Sequence, residues 1–340
     1  MAKYIGMDAH SSTCTFCVLD NDGVEISNTV IATNGKLLKD YIRSIQGVKK
    51  LALEECELSA WLHEILEPDV EELVVCDPVK NTVYKKNKTD KLDARNLAML
   101  LRGGFLHPVY HQDSARYHLR SFMRGYQNIV DAGVGFKNRY SSLYRKNGQN
   151  KKGVDLYNDE SLLKELPRPD QRFVAQHLYS MIQNTETERR AYVKEIKKLS
   201  RTFKEIKLLC GIHGIGEIQA AKIVAQVVEP RRFKNKYKFF AYCGLVRYAH
   251  SSAGTERRGK LAHGNKTLKC VFKMATLSAI YGDNVFSRYY ESLLKKGLNE
   301  KAARNAITRK IAAISLAMLK HNAKFDESQI KITEESITSA

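Results

Sequence analysis

Four carboxylates and one serine have the types and spacing for phosphoryl transfer. Asp8 ends the run YIGMD, and Glu54 ends the apolar run LAL. Asp90 and Asp93 lie one helical turn apart in NKTDKLDAR. Oxygen donors from Asp and Glu select hard cations, meaning Mg2+ or Mn2+. A pair of such ions can clamp the attacking and leaving oxygens of a phosphodiester. Ser252 lies in GLVRYAHSSAGTERRGKLAHGNKTLK, among small residues, with Arg257, Arg258, Lys260, His263 and Lys266 close behind. A serine hydroxyl is a weak nucleophile until a base or metal activates it. Cations around it would hold a scissile phosphate and stabilise the extra charge of the transition state. The expectation is metal-assisted phosphoryl transfer on nucleic acid, with the serine open as either a nucleophile or a phosphate contact.

Each residue also has an ordinary reading. Asp90 suits the first turn of a helix, where it favours the dipole. Asp93 has Arg95 and lysines nearby as partners. Glu54 is followed by Glu55, and strand alternation does not choose between them, although Glu54 ends the apolar run. Asp8 alone is a common strand-end residue. His10, close to Asp8, reads as a solvated loop histidine. The serine segment reads equally as a phosphate-binding loop with no covalent role.

These side chains need a scaffold to bring them together. Lys3 to Met7, Thr13 to Leu19, Val24 to Ile31, Leu51 to Leu53 and Leu73 to Cys76 read as strands, with a turn at Asn21-Asp22-Gly23. Leu37 to Ile45 and Ser59 to Leu66 read as helices. So does Asp90 to Leu101, capped by Thr89 and stopped at Gly103-Gly104. A three-strand meander followed by alternating strands and helices is the pattern of an RNase H-like α/β domain. Asp8 and Glu54 would stand at strand ends, where such sheets place their sites. Asp90 and Asp93 prolong the helix face that continues with Ala94, Leu97, Leu100 and Leu101. Carboxylates turned inward are costly unless paired or metal-bound.

The middle of the chain changes period. Leu119, Phe122, Tyr126, Ile129, Gly133, Phe136, Tyr140 and Leu143 follow heptad spacing. A break at KNGQNKKG precedes a second seam at Val174, Leu178, Met181, Thr185, Tyr192, Ile196, Leu199 and Phe203. Two such helices form an antiparallel hairpin or pair between copies. Arg116, Arg120, Arg124, Lys137, Arg139 and Arg145 lie outside the seam, where they can touch a nucleic-acid backbone. From Leu208, CGIHGIGEIQAAKIVAQV resembles a helix-hairpin-helix whose GIG turn can aim N–H groups at a phosphate. Beyond the serine segment, Leu268 to Tyr281, Arg288 to Lys295 and Lys301 to Leu319 read as helices. The division expected is 1–110 for the metal-binding domain and 111–205 for the coiled coil. A mostly helical serine domain at 206–325 and a polar tail at 326–340 follow.

The bulk properties agree. The chain has 340 residues and a net charge of +19, an excess that points to a polyanionic partner. No apolar stretch reaches the roughly 20 residues that cross a bilayer, and the first residues run straight into a strand rather than a signal peptide. Seven cysteines, an odd number, read as free thiols. Cys14 and Cys17 alternate along a strand and point to opposite sides, which argues against a zinc site.

YIGMDAH, the Glu after LAL, NKTDKLDAR, GIHGIGEIQAAKI, AYCGL and HSSAGTERRGKLAHGN occur in this order over nearly the whole chain. In these segments the chain resembles the DEDD-type insertion-sequence transposases, relatives of the Piv DNA invertase. NKTDxxDAR is the most specific piece. The resemblance implies a RuvC-like domain, a coiled-coil region and a C-terminal transposase domain. It implies a Mg2+-binding set at Asp8, Glu54, Asp90 and Asp93. It also implies a nucleophilic serine at Ser252 that links covalently to DNA. A structured guide RNA pairing with donor and target DNA, and a homo-oligomer in which one subunit's carboxylates meet another's serine, are further implications. So is work on the nucleoid in a prokaryotic cytoplasm. Family members often read Ser-Gly at the serine, where this chain reads Ser-Ser-Ala-Gly. Counting from Gly244-Leu245 selects Ser252, and counting back from Arg258-Gly259 reaches Ser251. Many members have Glu-Ala-Thr-Gly where this chain has EECELSAW, which leaves Glu54 and Glu55 both open.

The function expected is therefore RNA-guided excision and insertion of a mobile element. Arg257, Arg258, Lys260 and Lys266 would contact phosphate or RNA. The rivals are a RuvC-like nuclease that uses metal-bound water, a site-specific invertase, and a non-catalytic nucleic-acid-binding protein.

Overall fold

Alternation of apolar residues in the first eighty positions produces strands whose two faces are both covered by helices. The computed structural model describes residues 1–80, 89–110, 115–151, 153, 155–252, 255–261 and 264–330. For residues 155, 247–252 and 255–261 it describes the backbone alone. The chain divides into two compact units, Met1–Asp113 and Ser114–Ala340.

The first unit runs β1 (Ala2–Ala9), β2 (Thr13–Leu19), β3 (Glu25–Ala32), α1 (Gly35–Ser44), β4 (Val48–Glu54), α2 (Ser59–Leu66), β5 (Glu72–Cys76) and α3 (Asp90–Gly103). The five strands form one mixed sheet in the order β3-β2-β1-β4-β5. β1, β2 and β3 pair antiparallel, whereas β4 and β5 add in parallel. The β2–β3 turn forms where expected, because the Asp20 carboxylate accepts the N–H groups of Asp22 and Val24. The pleat sends Ile5, Met7, Phe16, Leu51 and Leu53 to the core shared with α1 and α2. On the opposite face, Cys17, Leu19, Ala52 and Cys76 pack with Ala94, Leu97, Ala98 and Leu101 of α3. Cys14 and Cys17 therefore lie on opposite faces of the sheet.

The second unit is mostly helical. It runs α4 (Ala115–Lys146), α5 (Asp155–Asn158), α6 (Pro169–Thr202), α7 (Lys204–Leu209), α8 (Glu217–Val227) and α9 (Lys236–Tyr242). The hairpin β6 (Arg247–Ser252) and β7 (Thr255–Leu261) follows, then α10 (Lys266–Ala279), α11 (Val285–Lys295) and α12 (Glu300–His321). α4 and α6 pack antiparallel within the chain. The Phe122 and Tyr126 rings lie 5.1 and 6.1 Å from that of Tyr192, and Tyr140 lies 6.2 Å from Tyr179. Leu119, Met123, Tyr126 and Ile196 join a core with α7 to α12.

Three expectations need correction here. The α6 seam does not hold near its start: Val174 and Met181 are exposed, and Ala175 and Ile182 are buried instead. The segment carrying Leu156, Leu163 and Leu166 packs there with Tyr140 and Tyr144, shifting the buried face by one residue. Arg116 and Arg120, expected to stand clear of the packing, are engaged by partners within the unit. Arg116 pairs with Glu205, and Arg120 donates to the carbonyls of Ala225 and Gln226 at the C-terminal end of α8. The tail expected from 326 begins as a docked turn. Glu327 pairs with His213, and Ile330 is buried. Residues 331–340 lie outside the described ones. Among the described residues, no helix is long and apolar enough to cross a membrane.

Candidate functional site

Asp8 is the penultimate residue of β1, and Glu54 is the last of β4. These parallel neighbours are in register at Met7 and Leu53, so Asp8 and Glu54 stand level one step further on. Leu53 belongs to the α1–α2 core and Ala52 to the α3 core, so the pleat puts Glu54 on the α3 side, with Asp8. Glu55 falls on the opposite side by the same alternation, and its N–H donates to the Cys76 carbonyl.

α3 brings the other two acids. Thr89 caps it by accepting the Leu92 N–H, and Asp90 and Asp93 occupy its first turn. The helix lies unusually close to β1. A Cβ built on Gly6 would come within 1.9 Å of the Ala94 carbonyl oxygen and 2.5 Å of the Ala98 nitrogen. Only glycine fits there, and the small Ala94 and Ala98 complete the approach. Arg95, the cation next in sequence to Asp93 and Ala94, pairs with Glu25 at 3.2 Å.

The geometry adds a residue that the sequence reading set aside. His10 Nε2 lies 3.3 Å from Asp8 Oδ2 and 3.8 Å from Asp90 Oδ1. Among the described residues, Asp8, His10 and Asp90 offer ligand atoms that all lie within 4.8 Å of one another. Glu54 and Asp93 stand outside this tightest group. The signal was present in the spacing, since residues two apart at a strand end share a side.

Burial raises the Asp8 carboxyl above its ordinary pKa; His10 offsets this, and the charges of Asp90 and Asp93 push it further up. An ionised Asp8 is thus destabilised by its surroundings until a cation arrives. Ligands at about 2.1 Å from a hard ion lie at most about 4.2 Å apart. The two His10 distances meet that limit without rearrangement, and the oxygen-rich donors suit a divalent cation. The Asp8 side chain is 20 % exposed, while those of His10 and Asp90 are 55 % and 60 % exposed, so an ion can enter from solvent.

The serine segment belongs to the second unit. It is not a loop, as expected, but the antiparallel hairpin β6–β7. Ser251 and Ser252 end β6, opposite Glu256 and Thr255. Arg257, Arg258 and Lys260 lie on β7, and the exposed Lys266 opens α10. Pairing satisfies backbone groups that a loop would leave open, which the small-residue composition concealed. Ala253, Gly254 and His263 lie outside the described residues.

A two-stranded hairpin is marginal by itself, and this one is clasped at its base. A Cβ on Gly264 would stand 2.4 Å from the Gly244 nitrogen. The Asn265 N–H donates to the Tyr242 carbonyl at 2.7 Å, and its side chain caps α10 at Leu268 while donating to Gln226. The Gln226 carbonyl in turn accepts from Arg120, Arg232 and Tyr242. Two residues on, Val228 takes φ 56°, a costly conformation for a β-branched residue. The surrounding bonds hold that bend where α8 meets the hairpin base.

Comparison with known proteins gives both halves the same assignment. A transposase model of the DEDD, IS110 type matches residues 5–146, and the model described as "Transposase IS116/IS110/IS902 family" matches residues 206–291. The transposase for insertion sequence element IS1111A of Coxiella burnetii is 21 % identical over 337 residues, 93 % of this chain and 89 % of that protein. The y4pF/y4sB protein of Sinorhizobium fredii, named as a candidate transposase, is 25 % identical over 141 residues. That alignment covers 40 % of this chain and 36 % of that protein.

Proposed function

We propose, on the premise that the chain belongs to the IS116/IS110/IS902 transposase family, that it excises and inserts its element through a covalent serine–DNA link. The observation that carries this reading is the convergence of Asp8 and Asp90, with Glu54 level with Asp8 and Asp93 one turn along. Asp8, Glu54, Asp90 and Asp93 would hold the divalent cation, Mg2+ or Mn2+. When bound, such a cation neutralises phosphate charge and favours ionisation of an attacking hydroxyl.

The residues of the chain do the rest. The Ser252 oxygen attacks phosphorus, its proton leaves to solvent or base, and a Ser–O–P bond replaces one P–O bond of the DNA backbone. The departing DNA oxygen takes up a proton. A free DNA hydroxyl later attacks the same phosphorus and regenerates the serine, so strand exchange needs no high-energy cofactor. Arg257, Arg258 and Lys260 on β7, with Lys266 at the start of α10, supply positive charge in the serine segment that suits phosphate. The net charge of +19 suits a polyanionic partner such as DNA, and a structured guide RNA would be drawn by the same charge. Assembly of more than one copy belongs to the same reading.

The test is denaturing electrophoresis of labelled element-end DNA after reaction, followed by peptide mapping of any protein-linked product. The reading expects a DNA adduct on Ser252 that Ser252→Ala abolishes and Ser251→Ala retains. An adduct on Ser251 moves the nucleophile by one residue. Cleavage without any adduct, unchanged in Ser252→Ala, means a nuclease that uses water.

A further inference from the structure

We propose that His10 supplies a nitrogen ligand to the cation of the acidic site and tilts its preference from Mg2+ toward Mn2+. The inference rests on the reading that these acids bind metal, and goes beyond it by adding a ligand outside the four carboxylates. His10 Nε2 already lies within 4.8 Å of a carboxylate oxygen of both Asp8 and Asp90. It reaches Asp8 Oδ2 at 3.3 Å and Asp90 Oδ1 at 3.8 Å.

The position is built rather than incidental. Beyond the end of β1, the His10 N–H donates to the Thr13 carbonyl at 3.0 Å. The His10 carbonyl accepts from Thr33 Oγ1 at 2.7 Å. Both backbone groups are therefore fixed by the first residue of β2 and by the residue after β3, and the ring projects over the strand end on the Asp8 side. Among the described residues this imidazole is the group paired with the Asp8 carboxylate, and the charges of Asp90 and Asp93 bear on that carboxylate. Two carboxylates neutralise a divalent ion, and the neutral imidazole completes one face of its shell without adding charge.

The donor type carries the selectivity. Mg2+ prefers oxygen and keeps its water, whereas imidazole favours first-row transition metals. A site of two carboxylates and one imidazole accepts Mg2+ but binds Mn2+ more strongly.

The experiment uses the full chain, stripped of metal by chelation and titrated with Mn2+ and separately with Mg2+. Pulsed electron paramagnetic resonance of the bound Mn2+ reads nitrogen coupling, and calorimetry reads affinity. Wild type is expected to show imidazole nitrogen coupling that His10→Ala removes. His10→Ala should weaken Mn2+ binding about tenfold and Mg2+ binding much less. Absence of nitrogen coupling, or an equal loss for both ions, overturns the inference. Asp8→Asn separates the two levels. If it abolishes Mn2+ binding while His10→Ala leaves coupling and affinity unchanged, the acidic site stands and the histidine ligand falls. If wild type binds no Mn2+, both fall.

Discussion

The main chain of α3 rests directly on Gly6, so that a Cβ there would stand 1.9 Å from the carbonyl oxygen of Ala94. Backbone cannot yield as a flexible side chain does. This approach sets how far the first turn of α3, with Asp90 and Asp93, stands from Asp8 on the same strand as Gly6.

Gly6→Ala should therefore lift α3 from the sheet. Overpacking of this kind costs about 1–3 kcal/mol, read as a lower midpoint in chemical denaturation. Mn2+ affinity should fall as well, although no ligand is altered. A variant with unchanged midpoint and affinity would show that the close approach does not position the acids.

Glu54 and Glu55 give a paired prediction. Glu54 shares the α3 side with Asp8 and Glu55 does not. Glu54→Gln should reduce DNA cleavage about 10–100-fold, and Glu55→Gln should leave it nearly unchanged. Cleavage assays at saturating metal check this, and the reverse pattern would reassign the ligand.

The clasp below the serine hairpin should matter to serine chemistry and not to metal. Asn265→Ala removes a cap on α10 and the bond to Gln226. Loss of such a cap costs about 1 kcal/mol. The variant is expected to keep wild-type Mn2+ affinity while its yield of protein-linked DNA drops several-fold. Equal loss of both would mean general unfolding.

Glu186 provides the pH test. Hydrogen bonds from Arg189, with Arg190 adding to them, pull its carboxyl to about 2 from an ordinary value of 4.5. A depressed folded pKa means the folded state holds the proton less tightly than the unfolded one. The stabilisation is full above the unfolded value and is lost as pH falls from about 4.5 toward about 2. The difference in melting temperature between wild type and Glu186→Gln should be constant near neutrality and shrink across that window. A difference that grows on acidification would contradict the ion pair.

Much of the first unit was legible because local rules and tertiary packing agree there. Alternation placed the strands, Asp20 to Gly23 made the turn, and Thr89 and Gly104 marked the limits of α3. Asp8 could be read as a strand-end residue because an apolar run stops there. The spacing puts His10 near Asp8, but its approach to Asp90, eighty residues further along, comes only from the packing of α3 on the sheet. The β6–β7 hairpin was hidden by Ser, Ala and Gly, which mark a loop by composition while tertiary clasping holds a ladder. The internal use of Arg116 and Arg120 was equally invisible. Their partners, Glu205 and the end of α8, lie far along the chain, and charge alone suggests a solvated face.

The most direct measurement is a crystal of the full chain soaked in Mn2+, with the ion located by its anomalous scattering. The account predicts density about 2.1–2.2 Å from carboxylate oxygens of Asp8 and Asp90, with Glu54 and Asp93 facing the same ion or a second one beside it. Manganese bound elsewhere, with these four acids turned to solvent, would contradict it.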